Sequence, residues 1–113
     1  MAARYRVTIR RRGKTEKARH ATLDQALAAL EARVRELARE QRPQVARALG
    51  REYEPVRQVA VRGEVRGPKR LRAGVDVRGD GSAEAFTGRL VRRVVEQRDG
   101  EDPYAALRRA TAR

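Results

Sequence analysis

Residues 56–78 have the sequence VRQVAVRGEVRGPKRLRAGVDVR, in which apolar residues alternate with charged ones on both sides of Gly67-Pro68-Lys69. Alternation with a period of two residues is typical of strands that bury one face and expose the other. Glycine and proline between two such runs are typical of a turn. The segment therefore predicts a β-hairpin whose valines face the core.

Side-chain parity limits the register of this hairpin, because paired residues point to the same side of a sheet. A two-residue turn would place Glu64 opposite Leu71 and mix the two faces. A three-residue loop places Val65 opposite Leu71 instead, and three residues is a common loop length for hairpins. We therefore expect a three-residue loop, which brings Arg66 opposite Arg70.

The start of the chain alternates in the same way over residues 4–11. Tyr5, Val7 and Ile9 share one face of this segment, which predicts a half-buried strand. Residues 12–21 are polar, and we expect them to form a connection with room for one short strand.

Helical spacing begins at residue 22. Thr22 with Gln25 three positions later is a capping box, a sign of a helix start. Leucine and valine then recur at spacings of three and four, which predicts an amphipathic helix over residues 22–41. A proline at its start and a glycine at its end predict a second, short helix over residues 43–50.

The remainder of the chain also has helical signals. Ser82 is suited to cap a helix over residues 82–98. The apolar stripe of that helix would comprise Phe86, Leu90, Val91, Val94 and Val95. Gly100 stands where helices often end, and Asp102-Pro103 predicts the start of a last short helix.

These segments give the element order β-α-β-β-α-α. Because each strand has one apolar face and each helix one apolar stripe, we expect a single small α+β domain over residues 1–113. Its three-stranded sheet would carry the helices packed on one face. The agreement of caps, glycine stops and alternation favours a folded domain over a disordered chain.

The composition is strongly basic. The chain has 113 residues, of which 28 are Lys or Arg and 15 are Asp or Glu, so its formal net charge is +13. An excess of this size attracts polyanions. The chain has no cysteine, which excludes a disulfide scaffold, a cysteine-ligated zinc site and a thiol nucleophile. No apolar run approaches the length of a membrane span and no export signal is apparent, so we expect a cytoplasmic protein that does not enter a membrane.

The sheet face that the helices leave uncovered is the candidate binding surface. The residues expected to contact phosphate there and in the hairpin loop are Arg4, Arg6, Arg10, Arg62, Arg66, Lys69, Arg70, Arg72 and Arg78. Guanidinium groups match phosphate bidentately, and a two-stranded ribbon is narrow enough to enter a major groove. The sequence therefore predicts a non-enzymatic nucleic-acid-binding protein, with DNA and RNA equally open.

Other classes of function remain open. An adaptor or antitoxin-like module could use the same basic surface to bind an acidic protein partner. The charges could also serve only to protect an edge hairpin from aggregation. Asp76, Asp80 and Glu84 surround a glycine-rich turn and would supply the ligands of a metal-dependent hydrolase.

No catalytic residue, cofactor or metal site is predicted. His20 is the only histidine, and no cysteine or second histidine is present to act with it. A homodimer is compatible with the sequence, because the apolar residues outside the main pattern exceed what one small core can cover. These residues are Val45, Leu49, Tyr104 and Leu107.

Overall fold

Six strands and two helices form from the residues that the structure describes. The computed structural model describes residues 4–40, 59–88 and 90–112 of the chain. In chain order the elements are β1 (Tyr5–Arg11), β2 (Lys14–His20), α1 (Leu23–Glu40), β3 (Val59–Gly67), β4 (Leu71–Arg78), β5 (Ala83–Thr87), β6 (Arg93–Val95) and α2 (Pro103–Thr111).

The strands form one antiparallel sheet in the order β2-β1-β3-β4-β5-β6. The class is therefore α+β. The predicted three-stranded sheet and the predicted element order β-α-β-β-α-α are wrong, because the described residues form a six-stranded sheet and two helices. The additional strands come from residues 14–20 and 83–95. The predicted helix over 43–50 lies outside the described residues.

β2 joins the sheet because Arg12 and Gly13 make a two-residue turn after β1. Both residues have positive φ, 34° for Arg12 and 75° for Gly13, as in the type I′ turn whose twist matches that of paired strands. The two strands then pair from Arg11 and Lys14 onward. β1 is also antiparallel to β3, so β2 and β3 run parallel to each other on either side of β1.

The β3–β4 hairpin has a three-residue loop, as parity predicts, but the loop lies one residue further along the chain. It comprises residues 68–70, and Gly67 pairs with Leu71. The partner of each β3 residue from Val61 to Gly67 is thereby shifted by two positions, which keeps Val61 and Val65 on the buried face. The register changes between Val59 and Val61, and Val59 is exposed. Lys69 and Arg70 have φ values of 58° and 61°, in the left-handed region that few non-glycine residues adopt.

The predicted helix over 82–98 is wrong, because this segment forms β5, a turn and β6. Pairing of β5 with β4 covers an edge that β4 would otherwise leave open. Ser82 caps no helix: its amide donates to the Asp80 carboxylate at 2.9 Å in the turn before β5. Of the predicted apolar stripe, Phe86 is buried whereas Leu90 is exposed.

The core lies between one face of the sheet and the two helices. Strand residues in the core include Val7, Ile9, Val61, Val65, Val75 and Val77. α1 confirms the predicted helix over 22–41, and its cap is present, since Thr22 Oγ1 accepts a hydrogen bond from the Gln25 amide at 3.2 Å. The buried residues of α1 are Ala26, Leu27, Leu30, Val34 and Leu37.

α2 begins where Asp102-Pro103 predicts. The Asp102 carboxylate accepts a hydrogen bond from the Ala105 amide at 2.7 Å, and Pro103 occupies the first turn. Tyr104 and Leu107 are buried in the same core as α1. Within the described part of the chain, no helix is long and apolar enough to cross a bilayer.

Two of the four apolar residues that were expected to be available for self-association are buried in the core. Tyr104 and Leu107 have exposed fractions of only 5% and 1%, so neither is available to a second copy of the chain. The other two residues, Val45 and Leu49, lie outside the described residues.

Gly63 sets how closely α1 approaches the centre of the sheet. A Cβ atom at this position would lie 2.6 Å from Val34 Cγ2 and 3.1 Å from Leu30 Cγ. Both neighbours are fully buried, so neither side chain has space into which it can withdraw. The absence of a side chain at residue 63 therefore allows the helix to pack directly on β3.

We expect Gly63→Ala to lower the free energy of unfolding by about 1–3 kcal/mol, because the added methyl group overpacks the helix–sheet contact. Urea unfolding measures the loss. Val34→Ala removes the nearest clashing atom, so the double variant should lose less than the sum of the two single variants. Strict additivity would contradict this account of the contact.

The turn before α2 contains a carboxylate whose ionised form the fold stabilises. Hydrogen bonds from the Arg109 side chain and the Arg98 amide lower the pKa of Glu101 to about 2. The contacting distances are 2.8 Å from Arg109 Nε and 2.8 Å from the Arg98 amide. Since the folded pKa lies below the ordinary value of 4.5, the stabilisation is present above pH 4.5 and is lost as the pH falls towards 2.

We expect Glu101→Gln to flatten the loss of stability between about pH 4.5 and pH 2, because the variant has no proton to take up at this position. Thermal unfolding across that pH range measures the effect. Asp99→Asn serves as the control, since it changes a neighbouring carboxylate that takes no part in the hydrogen bonds of Glu101 with Arg109 and Arg98. If the stability of Glu101→Gln falls as steeply as that of the wild type over this pH range, the contact of Glu101 with Arg109 does not persist in solution.

Candidate nucleic-acid interface

The sheet has one face that packs against the helices and one that does not. Val7, Val61 and Val75 point into the core, and the residues that alternate with them point the other way. We call this second surface the outer face. It is the surface to which the sequence assigns the phosphate-binding arginines.

Four arginines lie side by side at one end of the outer face. Arg19 is opposite Arg6, Arg6 is opposite Arg66, and Arg66 is opposite Arg72. Three strand spacings of about 4.8 Å give this set a width of about 14 Å. We call these four residues the arginine row. The expected pairing of Arg66 with Arg70 is wrong, because Arg70 lies in the loop beyond the paired residues.

The charges of the arginine row are only partly compensated. Glu64 accepts hydrogen bonds from Arg66 Nε at 2.6 Å and Arg72 Nε at 3.0 Å. Burial raises the pKa of Glu64, but these hydrogen bonds outweigh it and hold the pKa below its usual value. No carboxylate of the described residues lies within 4.0 Å of Arg6 or Arg19. One end of the row thus carries two charges that no carboxylate of the described residues compensates.

A shallow depression lies on the outer face next to the arginine row, with a volume of about 150 Å³. The residues that line it are Arg6, Thr8, Arg10, Lys17, Arg62, Glu64, Arg66 and Arg72. Six of these side chains are basic and one is acidic, so an anion would find an excess of hydrogen-bond donors there.

The sequence reasoning missed the contribution of β2. Lys17 and Arg19 face the same way as the β1 arginines, because they pair with Thr8 and Arg6. The signal was present in the two-residue Arg12-Gly13 turn and in the charge alternation that follows it. It is weak because β2 has no large apolar residue to mark its buried face.

Lys69 and Arg70 extend the basic surface beyond the arginine row. They are exposed in the β3–β4 loop, at the same end of the sheet as Arg66. Their left-handed backbone places two cations at a turn where glycine or asparagine would fit with less strain. Arg4 lies at this end too, beside Arg6.

A second group of arginines on the outer face is held in internal ion pairs. Asp76 is fully buried, and its carboxylate accepts hydrogen bonds from Arg62 Nε at 2.6 Å and from Arg92. The guanidinium carbons of Arg62 and Arg92 lie 5.8 Å and 4.8 Å from the centre of the Phe86 ring. Arg78 Nη2 pairs with Glu84 at 3.1 Å.

The predicted phosphate-binding residues therefore differ in their position on the outer face and in their partners. Those at the loop end of the outer face are Arg4, Arg6, Arg66, Lys69, Arg70 and Arg72. Arg10 lies further along β1 and lines the depression. Arg62 and Arg78 are paired with Asp76 and Glu84, and Arg66 and Arg72 are paired with Glu64, so a phosphate would have to compete with these carboxylates.

The position of the β3–β4 hairpin changes two of the expectations. β1 and β5 flank it on either side, so it is not a free ribbon that can enter a major groove. For the same reason its arginines do not protect a sheet edge. Any partner of these charges has to meet them on the outer face or at the loop.

The three acidic residues considered as metal ligands have other partners. Asp76 is bonded to two arginines, Asp80 accepts the Ser82 amide and Glu84 is paired with Arg78. Over residues 4–40, 59–88 and 90–112, no group of three or more His, Asp or Glu side chains is placed to hold a metal ion. His20 has a buried Nε2 without a hydrogen-bond partner there.

We expect Asp76→Asn to destabilise the fold by about 1–3 kcal/mol, because it leaves two arginines facing a neutral buried group. The loss stays below the ~3–5 kcal/mol typical of a fully buried pair, since Arg62 and Arg92 are 37% and 40% exposed and can regain water. Glu16→Gln, which breaks a surface pair with Arg33, should cost less than about 1 kcal/mol. Equal losses in urea unfolding would contradict the structural role of Asp76.

Comparisons with protein-family models, with curated protein sequences and with solved structures found no match to this chain.

Proposed function

We propose that the protein is a cytoplasmic, non-enzymatic nucleic-acid-binding protein that contacts the phosphate backbone through the arginine row and the β3–β4 loop. The observation that carries this proposal is the arginine row itself. Like charges on directly paired strands destabilise a sheet by some tenths of a kcal/mol per pair, and here three consecutive pairs are arginine–arginine. Glu64 already bridges Arg66 and Arg72. Phosphate groups between the guanidinium groups of Arg19, Arg6 and Arg66 would remove the repulsion in the other two pairs.

The dimensions of the arginine row favour contact across a groove. Its width of about 14 Å exceeds the ~12 Å major groove and the ~6 Å minor groove of B-DNA. A flat face four strands wide cannot enter either groove. The row is therefore suited to reach the phosphates on both sides of a groove while the sheet stays outside it.

The outer face also lacks a platform for single strands in its described part. Sequence-tolerant binding of single strands depends on bases that stack on exposed aromatic side chains. Phe86 is the aromatic residue on the outer face, but it is only 2% exposed and lies beneath Arg62 and Arg92. Phosphate contacts to a duplex are thus favoured over base stacking.

We expect Arg6→Gln/Arg19→Gln to weaken duplex binding. We also expect it to reduce the slope of log K against log salt concentration by about two. Each substitution removes one phosphate contact, and neither residue has a carboxylate partner in the described structure, so the fold should be unaffected. Fluorescence anisotropy with labelled duplex DNA, duplex RNA and single strands between about 50 and 300 mM salt gives the slopes.

Lys14→Gln/Arg39→Gln is the matched control, because it removes two exposed charges that do not lie on the outer face. This control should keep the wild-type slope. If both double variants lower the slope equally, the binding reflects net charge alone and the proposed interface is wrong.

Absence of micromolar duplex binding near 150 mM salt would overturn the proposal as a whole. The same basic surface would then point to an acidic protein partner, whose capture would be sensitive to salt and resistant to nuclease.

A further inference from the structure

Two large apolar side chains are exposed in the segment that joins β5 to β6. Leu90 is 86% exposed and Val91 is 68% exposed, the two highest values among the large hydrophobic residues that the structure describes as exposed. The segment between the two strands is short, so the residues lie at the end of a hairpin. We call these two residues the apolar tip.

Both ends of this segment are fastened to the sheet. On one side, the Gly88 amide donates to the Arg72 carbonyl oxygen at 3.1 Å. Gly88 has a φ of 121°, and a Cβ atom there would collide with the Val91 carbonyl oxygen, so the turn requires glycine. On the other side, Arg92 is bonded to the buried Asp76 and stacks on Phe86. The exposure of the apolar tip is thus imposed by anchored backbone.

The anchoring also places the apolar tip at the end of the arginine row. Arg72 is the last residue of the row, and its own carbonyl oxygen holds Gly88. The sequence from residue 88 to residue 95 is GRLVRRVV, with three arginines and no acidic residue. Apolar side chains at the end of a row of cations are complementary to a partner that combines anionic groups with an apolar interior.

We propose that Leu90 and Val91 insert between base pairs of a duplex whose phosphates the arginine row holds, so that the protein kinks the nucleic acid that it binds. This inference rests on the proposed function. Stacked bases behind a phosphate backbone have the required combination of anionic surface and apolar interior. Apolar wedges of leucine, isoleucine or phenylalanine enter base steps from the minor groove and kink duplex DNA by about 20–90°.

The apolar tip is suited to this role for two reasons. Unstacking a base step is costly, and a wedge whose position is fixed before binding loses less conformational freedom when it inserts. The two anchors, at Gly88 and Arg92, meet that condition. Pyrimidine–purine steps unstack most easily, so they are the expected sites of insertion. A second copy of this chain is a poor occupant, because it would bring a further +13 charges to a cationic surface.

The test uses duplex DNA with a fluorescent donor and acceptor at its ends and 2-aminopurine at a central TA step. Wild-type protein should shorten the end-to-end distance and increase the 2-aminopurine fluorescence, as unstacking requires. Leu90→Ser/Val91→Ser should abolish both changes while the salt slope of binding stays at its wild-type value, since the phosphate contacts remain. Val59→Ser, at an exposed valine of β3, is the matched control and should keep both changes.

The outcomes separate this inference from the proposed function. Wild-type binding without a kink, or a kink that persists in the serine variant, overturns the insertion but leaves nucleic-acid binding intact. No duplex binding at all overturns both. Binding to vesicles of anionic phospholipid that the serine variant loses, together with an unkinked duplex, would show that the apolar tip enters a lipid surface instead.

Discussion

Strand parity in β1, β3 and β4 is the constraint on which the rest of this structure depends. Because neighbouring residues of a strand point to opposite faces, one pattern both buries the valines beneath α1 and collects the arginines on the outer face. Antiparallel pairing then fixes which arginines become neighbours, and the arginine row follows from that register. Core and candidate interface are therefore two products of a single alternation.

The outer face is divided by its few carboxylates. Asp76 and Glu84 satisfy the cations over β4 and β5, and the Phe86 ring lies across Gly74, where a Cβ atom would come within 2.7 Å of the ring. That half of the face is closed and nearly neutral. In the other half, Glu64 pairs with Arg66 and Arg72, and no described carboxylate pairs with Arg6 or Arg19.

Sequence reasoning works here where a segment carries its own apolar pattern. α1 and the start of α2 have caps and regular spacing, and the valines of β3 and β4 fix the parity of the hairpin. β2 has no large apolar residue, so only its partner β1 reveals it as a strand. Residues 82–98 have helical spacing, yet the open edge of β4 determines their conformation, and that edge is a tertiary feature.

The candidate site divides in the same way. Alternation was sufficient to assign Arg6, Arg66 and Arg72 to one face. The pairing of Arg62 with Asp76 required the actual register, which differs from the expected one by two positions. Arg92 could not be found at all, because its role depends on the β5–β6 turn. Local pattern thus identifies a charged surface, whereas the internal partners of its charges depend on contacts between distant segments.

At Lys69 and Arg70, the left-handed backbone lowers the stability of the fold, whereas the charges of the two side chains favour the binding of an anionic partner. Conformations of this kind cost a non-glycine residue on the order of 1–3 kcal/mol. A glycine at either position would relieve that strain and remove a cation in the same step. If selection acted on thermal stability alone, glycine would be expected to replace Lys69 or Arg70. Relatives that keep both cations would therefore indicate selection for binding.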